Sequence, residues 1–145
     1  LDTDKGLPRQ LPPMPKEEKS ETMQVDKEKV IELDISASNI VTVNGKQADV
    51  ASLSSLLEKH IAAFPTDHVV SIHADRESSY DTYFLIQNTL VNTYQGFRDS
   101  YCRKHFGKPF AKCSQDNQTA AMKAFPQRIS EQVDAAEENG KGGEE

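Results

Sequence analysis

Apolar and polar residues alternate in two segments of the chain, 29–35 and 68–74. In the first, Ile31, Leu33 and Ile35 fall on one side of an extended chain and acidic residues fall on the other. Because successive side chains of a strand point to opposite faces of a sheet, this pattern predicts half-buried strands. The second segment is apolar on much of both faces, so we predict that it is central and parallel to an earlier strand.

Shorter strands are predicted on either side of these two. Residues 40–43 form one, and Asn44-Gly45 after it favours a tight type I′ turn into residues 46–48. The last strand is predicted over 127–133, where Pro126 at its start is tolerated only at a sheet edge or a strand beginning.

A three- and four-residue apolar spacing predicts two helices. The first spans 50–63, is capped by Asp49 and is ended by Pro65. The second is capped by Ser78 or Ser79, runs to about Phe106 and closes at Gly107 and Pro109. Its stripe is Tyr80, Tyr83, Phe84, Leu90, Val91, Tyr94, Phe97 and Tyr101.

The stripe of the second helix predicts core positions for Phe84, Leu90 and Val91, since such a stripe usually faces a sheet. Its distal aromatics, such as Phe97, could instead form an interface. Segment 110–124 is predicted as a loop with a helical turn near 119–123. The order β-β-α-β-α-β predicts an α+β fold of two layers, a mixed sheet with two helices packed on one face.

Composition divides the chain into three parts. Residues 1–28 are Pro-rich and charged, which predicts a flexible linker, and residues 134–145 predict a disordered acidic tail. Residues 29–133 have globular composition and form the predicted domain. The net charge of −6 with no basic stripe argues against nucleic-acid binding. No run of 18 apolar residues is present, and the initial Leu suggests a piece of a longer protein.

Side chains with catalytic or metal-binding chemistry are scattered. His73 and Asp75 share a strand face, but a metal site needs a third ligand, so we interpret Asp75 as fixing the turn before the next helix. Neither a nucleophile elbow nor a phosphate-binding Gly-rich loop occurs, which predicts no enzyme activity, metal or cofactor. Cys102 and Cys113 permit one disulfide or two free thiols.

The phrase HVVSIHADRESSY resembles the ExbD/TolR family. That family has an Ile-x-Ala-Asp pattern at the end of a central strand and a Tyr opening the long helix, here Ile72, Ala74, Asp75 and Tyr80. VTVNGK, the Pro-rich opening LPRQLPPMP and the late PQRISE are similar as well. The resemblance implies a single membrane helix before residue 1, anchoring a periplasmic domain in the inner membrane. The family's proton-carrying Asp lies in that helix.

The resemblance also implies partners: an ExbB-like pentamer, a TonB-like transducer driven by the proton-motive force, and a second copy in a homodimer. The alternative is a TolR-like module that binds peptidoglycan. A transducer segment could add as a strand to an exposed edge. The predicted partner-binding residues are therefore in the last strand, at Gln127, Arg128, Ile129, Ser130 and Glu131. Residues 40–43 are the second candidate edge.

Overall fold

The computed structural model describes residues 26–134, so the linker and tail predictions lie almost entirely outside the described residues. Five strands form one mixed sheet: β1 (Val30–Ile35), β2 (Val41–Val43), β3 (Lys46–Gln47), β4 (Val69–Ala74) and β5 (Ile129–Val133). Their spatial order is β3-β2-β1-β4-β5. β4 and β5 run parallel to β1, while β2 and β3 are antiparallel neighbours. The fold is α+β, as predicted.

Between residues 26 and 134, three α-helices accompany the sheet: α1 (Val50–Ala63), α2 (Tyr80–Phe106) and α3 (Gln115–Ala124). Short 3-10 turns occupy Lys27–Lys29 and Phe110–Lys112. α1 and α2 cover one sheet face, where Leu33, Ile72 and their neighbours are buried, and α3 packs on α2. The predicted two-layer arrangement is therefore confirmed.

Local sequence signals fix most element ends. Asp49 caps α1 by accepting from the Ser52 N–H at 2.9 Å, and Ser79 caps α2 by accepting from the Thr82 N–H at 3.2 Å. Asn44 and Gly45 have φ of 50° and 86°. Both values are positive, as the predicted type I′ turn requires, so the β2–β3 hairpin closes with little strain.

Segment 110–124 was predicted as a loop with a helical turn near 119–123. The turn is part of the ten-residue helix α3, so the loop part of that prediction is wrong. The sequence QDNQTAAMKA has no apolar period, and within it only Ala121 is buried. The helix is instead started by its cap, since the Ser114 hydroxyl accepts from the Asn117 N–H at 3.2 Å. Packing against α2 supplies the rest of its stability.

Two predicted core positions of α2 are also wrong. Leu90 is fully buried, but Phe84 and Val91 are 49% and 40% exposed. Thr89 and Thr93 occupy buried positions of the core face, and each satisfies its hydroxyl by donating to the carbonyl four residues earlier. Each residue turns a helix by about 100°. With Thr89, Leu90 and Thr93 on the buried face, Phe84 and Val91 therefore fall on the exposed face of α2.

Candidate functional site

The predicted partner-binding residues lie at the β5 edge of the sheet. Among the described strands, β5 pairs with β4 alone and ends the strand order. Gln127, Ser130 and Glu131 are exposed, Ile129 packs against the core, and Arg128 donates from Nε to the His68 carbonyl at 2.8 Å. Gln127, Ser130 and Glu131 are thus accessible, although Gln127 and Arg128 precede the strand, which begins at Ile129 rather than at the predicted residue 127. Arg128 instead anchors the strand's start.

The second candidate edge, 40–43, was wrong. β2 lies between β1 and β3, with Thr42 opposite Gln47 and Val43 opposite Lys46. A partner strand cannot add there without displacing β3. The opposite edge of the sheet is β3 itself, which has only two residues. Of the two edges, β5 therefore offers the longer backbone.

The main-chain N–H and C=O groups of β5 point alternately toward β4 and toward the open edge. The Val70 N–H donates to the Arg128 carbonyl at 2.9 Å, and the Asp134 N–H donates to the Ala74 carbonyl at 3.0 Å. In a parallel ladder the residues between such partners direct their N–H and C=O groups away from the neighbour. Ile129, Glu131 and Val133 therefore present three donor–acceptor pairs at the open edge.

An exposed apolar strip of α2 lies beside this edge. Tyr80 is 73% exposed and stacks on Phe84, with ring centroids 5.9 Å apart. The Gln87 amide donates to the Glu131 carboxylate of β5, so this side of α2 faces the edge strand. Val133 is exposed as well. Together these side chains form a surface on which apolar residues of an added strand could pack.

A series of buried hydrogen bonds holds the start of β5 in place. His68 is fully buried, and its Nδ1 donates to the Phe64 carbonyl at 2.7 Å. Since a carbonyl can only accept, Nε2 of the neutral ring accepts from the Tyr94 hydroxyl at 2.6 Å. Burial lowers the pKa of His68 and raises the pKa of Tyr94 to about 12. Both groups are therefore uncharged at neutral pH, and Arg128 ties the strand to them.

His73 and Asp75 are not brought together as a pair. His73 lies on the open sheet face between Asp134 and Asp34, at 2.8 Å and 3.4 Å. Asp75 accepts from the Glu77 N–H at 2.8 Å, which confirms its interpretation as a turn residue. Within residues 26–134 no group of three His, Cys, Asp or Glu side chains is placed to hold a metal ion.

The two cysteines are free thiols. Cys102 is fully buried near the end of α2, and Cys113 is half-buried after the second 3-10 turn. Burial, and then a hydrogen bond with Cys113, raises the pKa of the Cys102 thiol. The pair is therefore close in space, and of the two open alternatives the structure has the reduced form.

A groove runs between α1 and α2 on the outer side of the helical layer. Its volume is about 560 Å³. Ser55, Glu58 and Lys59 from α1 face Asn92 and Ser100 from α2, and Ala62 and Phe97 add apolar surface between them. The α2 wall is low because Gly96 has no side chain. The groove is thus open and offers several hydrogen-bonding groups to a ligand.

The family comparison decides the affiliation of the chain. The family model described as Biopolymer transport protein ExbD/TolR matches residues 1–96. The chain belongs to the ExbD/TolR family. Members of this family are inner-membrane-anchored, non-enzymatic accessory proteins that couple energy to biopolymer transport, and their folded domain is periplasmic. We found no match among curated proteins.

The ExbD/TolR match covers only part of the described fold. No helix within the described part of the chain is long and apolar enough to cross a membrane. The match ends at residue 96, inside α2, so β5 and α3 lie beyond it. The sequence missed the exposed strip beside β5, although the polar residue Gln87 in the middle of the stripe was a signal that this side of α2 faces away from the core.

Proposed function

We propose that this chain is the periplasmic domain of an ExbD-like subunit in a TonB–ExbB–ExbD energy-transduction complex supporting outer-membrane import. A single membrane helix before residue 1 would join an ExbB-like pentamer and carry the proton-responsive Asp. The domain itself has no enzymatic role, works as a homodimer and holds an extended segment of a TonB-like transducer.

The open edge of β5 is the observation that carries this proposal. An energy transducer must be held and released repeatedly. Strand addition suits this, since main-chain hydrogen bonds give affinity and alternate side chains give selectivity. Ile129, Glu131 and Val133 supply the main-chain groups, while Tyr80 and Phe84 supply the adjoining apolar surface. Ordering a flexible segment offsets much of the contact energy, so affinity is about micromolar or weaker.

Glu131→Pro tests strand addition directly. This substitution removes an N–H that points to the free edge, while the hydrogen bonds from β5 to β4 remain. We expect affinity for an extended TonB-like peptide to fall about tenfold or more, because one main-chain hydrogen bond and the close approach of the strands are lost. The measurement is an NMR titration, with shifts expected at β5 and at the Tyr80–Phe84 end of α2.

Glu131→Ala is the matched control, since it removes the same side chain and its contact with Gln87 but keeps the N–H. We expect it to bind nearly as well as the unmodified chain. Equal losses in both variants would show that the side chain, rather than the backbone edge, carries binding. Shifts confined to surfaces away from β5 would contradict the mechanism altogether.

The groove between α1 and α2, with polar side chains on both walls, favours a second candidate function, a TolR-like peptidoglycan-binding module. Such a ligand needs several polar groups converging on one concave surface, as Glu58, Asn92 and Ser100 do here. Co-sedimentation with purified cell wall tests it. Gly96→Trp would fill the groove, where a Cβ has open space around it, and should abolish wall binding while leaving transducer capture intact.

A further inference from the structure

Charge is strongly segregated along the described chain. Residues 26–97 contain ten Asp and Glu against five Lys and Arg, whereas residues 98–128 contain seven Lys and Arg against two Asp. The second segment comprises the distal part of α2, the 3-10 turn, α3 and the approach to β5; we call it the cap. A protein of net charge −6 thus has one strongly cationic end.

The cap lies at the end of the sheet where its parallel strands begin. Tyr94 contacts His68, which immediately precedes β4. The twelve residues of α2 after Tyr94 extend about 18 Å at 1.5 Å per residue, so they project beyond the sheet. Lys29, just before β1, pairs with Asp67 at 2.8 Å at this same end. Residues 26–29, which precede β1, therefore lie at the same end of the domain as the cap.

Most of the cations at the far end of the cap are not neutralised by ion pairs within residues 26–134. Arg103 pairs with Asp99 at 2.8 Å. Lys104, Lys108 and Lys112 are exposed and make no ion pair with any residue in 26–134. A basic side chain in the last helical turn offsets the helix dipole, which accounts for Lys104. That effect does not account for Lys108 and Lys112, which lie past the helix end.

The backbone that presents these lysines is well fixed. Gly107 ends α2 at φ 72°, a conformation that favours glycine. The Phe110 N–H donates to Asp99 at 2.8 Å, and its carbonyl accepts from the Gln118 amide at 2.8 Å. Phe106 and Phe110 are half-buried between the lysines. Lysines interleaved with aromatic side chains are typical of surfaces that bind at a membrane interface.

We propose that residues 103–112, the basic tip, dock on the anionic headgroups of the membrane from which the domain is suspended. The proposal rests on the proposed function only for that suspension. Each lysine near an anionic surface contributes modestly and additively, so docking is reversible and salt-sensitive. The acidic residues of 26–97 belong to a different part of the chain, and salt screens exposed charges that lie farther apart than the Debye length of about 10 Å.

Vesicle co-sedimentation of the 145-residue chain tests the basic tip without any transducer. Phosphatidylcholine vesicles containing phosphatidylglycerol should bind the chain, and vesicles of phosphatidylcholine alone should not. The triple variant Lys104→Glu, Lys108→Glu and Lys112→Glu should lose at least about 100-fold in affinity, because each lost lysine costs about fivefold and each new glutamate is repelled. Raising the salt concentration should remove most binding of the unmodified chain.

A second triple variant provides the matched control. Lys46→Glu, Lys59→Glu and Arg76→Glu produce the same net charge at three exposed sites outside the cap. We expect little change in vesicle affinity. Equal losses in both triple variants would overturn the proposal, since net charge alone would then explain binding. No binding of the unmodified chain to anionic vesicles at low salt would overturn it as well.

The remaining outcomes distinguish membrane docking by the basic tip from peptidoglycan binding and from transducer binding at β5. If purified cell wall but not vesicles retains the chain, and the tip triple variant abolishes that retention, the tip binds peptidoglycan and the membrane proposal is wrong. Glu131→Pro should bind vesicles like the unmodified chain, since β5 is not part of the tip. Failure of vesicle docking and failure of strand addition are therefore distinguishable.

Discussion

The acidic body, residues 26–97, and the basic cap, residues 98–128, are stabilised in different ways. The body contains the whole hydrophobic core cluster, from Ile31 to Tyr94. In the cap, the buried apolar residues are Cys102 and Ala121. The cap instead depends on its seams with the body, where Phe97 stacks on Phe125 at 4.9 Å. A large core can specify a fold alone, whereas a small helical addition needs a scaffold.

The family match follows the same division. It ends at residue 96, at the boundary between body and cap. What the family pattern describes is therefore the part of the chain that builds four of the five strands, α1 and most of α2. The cap carries the opposite charge and a surface of its own. We infer that the body supplies the stable platform and that the cap and β5 supply contacts with the surroundings.

The largest expected effect contrasts two truncations in the same helix. Leu90→Ala removes a fully buried side chain of the body and should lower the free energy of unfolding by about 2–5 kcal/mol, because it leaves a cavity. Phe106→Ala removes a half-buried ring of the cap and should cost about 1 kcal/mol, in proportion to the smaller buried area. Urea unfolding followed by circular dichroism measures both.

Val91→Ala is the control for the truncation itself, since Val91 neighbours Leu90 but is 40% exposed. We expect a change within about 0.5 kcal/mol, as for most surface substitutions. A cost for Phe106→Ala as large as for Leu90→Ala would break the comparison. The cap would then be an integral part of the core rather than an addition to it.

An intermediate effect is expected at Arg98, which joins the two ends of the cap and contacts the body through Tyr94. Arg98 donates from Nε and Nη2 to the Phe125 carbonyl at 3.0 and 2.8 Å, and its guanidinium lies 5.9 Å from the centre of the Tyr94 ring. Arg98→Met keeps the aliphatic length but leaves that carbonyl unpaired. We expect a loss of about 2 kcal/mol, since hydrogen bonds to charged groups are the stronger ones.

Amide hydrogen exchange locates the effect of Arg98→Met. Protection should fall in α3 and at the start of β5, while β1 amides keep theirs, because the lost hydrogen bonds lie within the cap and the body folds around its own core. Arg103→Ala is the control, as its exposed pair with Asp99 contributes little. A uniform loss of protection across β1 and α3 would mean that body and cap unfold as one unit.

The sequence predicted the body far better than the cap, for a physical reason. In the body, alternation of residues such as Leu33 and Ile72 with polar neighbours reports burial directly. In α3, helix formation depends on the Ser114 cap and on tertiary contacts with α2, which leave no apolar period in the sequence. The hydrophobic pattern of a sequence reflects which side chains are buried, so a segment that buries few side chains shows little pattern.

The site was only partly predictable from the sequence. Pro126 correctly marked the last strand as an edge. That Ile129 and Glu131 direct their main-chain groups outward depends on the register against β4, which no local signal specifies. The exposed stack of Tyr80 and Phe84 depends on how far α2 is rotated, and the buried threonines that set this rotation count as polar in any hydrophobic pattern.

The smallest expected effect concerns the acidic body and its pH dependence. On the open sheet face, His73 lies between Asp134, which follows β5, and Asp34 of β1. The hydrogen bond with Asp134, followed by attraction to both carboxylates, raises the pKa of His73 above its ordinary 6.5. The protonated ring thus links the end of the edge strand to the centre of the sheet.

A raised histidine pKa means that the folded state binds the proton more tightly than the unfolded state. The stabilisation by His73 is therefore complete below about pH 6.5 and is lost as the pH rises through the raised pKa. Because the side chain is 40% exposed, solvent screening limits the effect to a few tenths of a kcal/mol. His73→Gln should reduce stability at pH 6 and leave it nearly unchanged at about pH 8.

His68 titrates in the opposite sense, since burial lowers its pKa, so the measurement must be the difference between variant and unmodified chain across this pH range. A difference that grows toward high pH would show that the ring stabilises β5 in its neutral form, and the two carboxylates would then not hold the strand end.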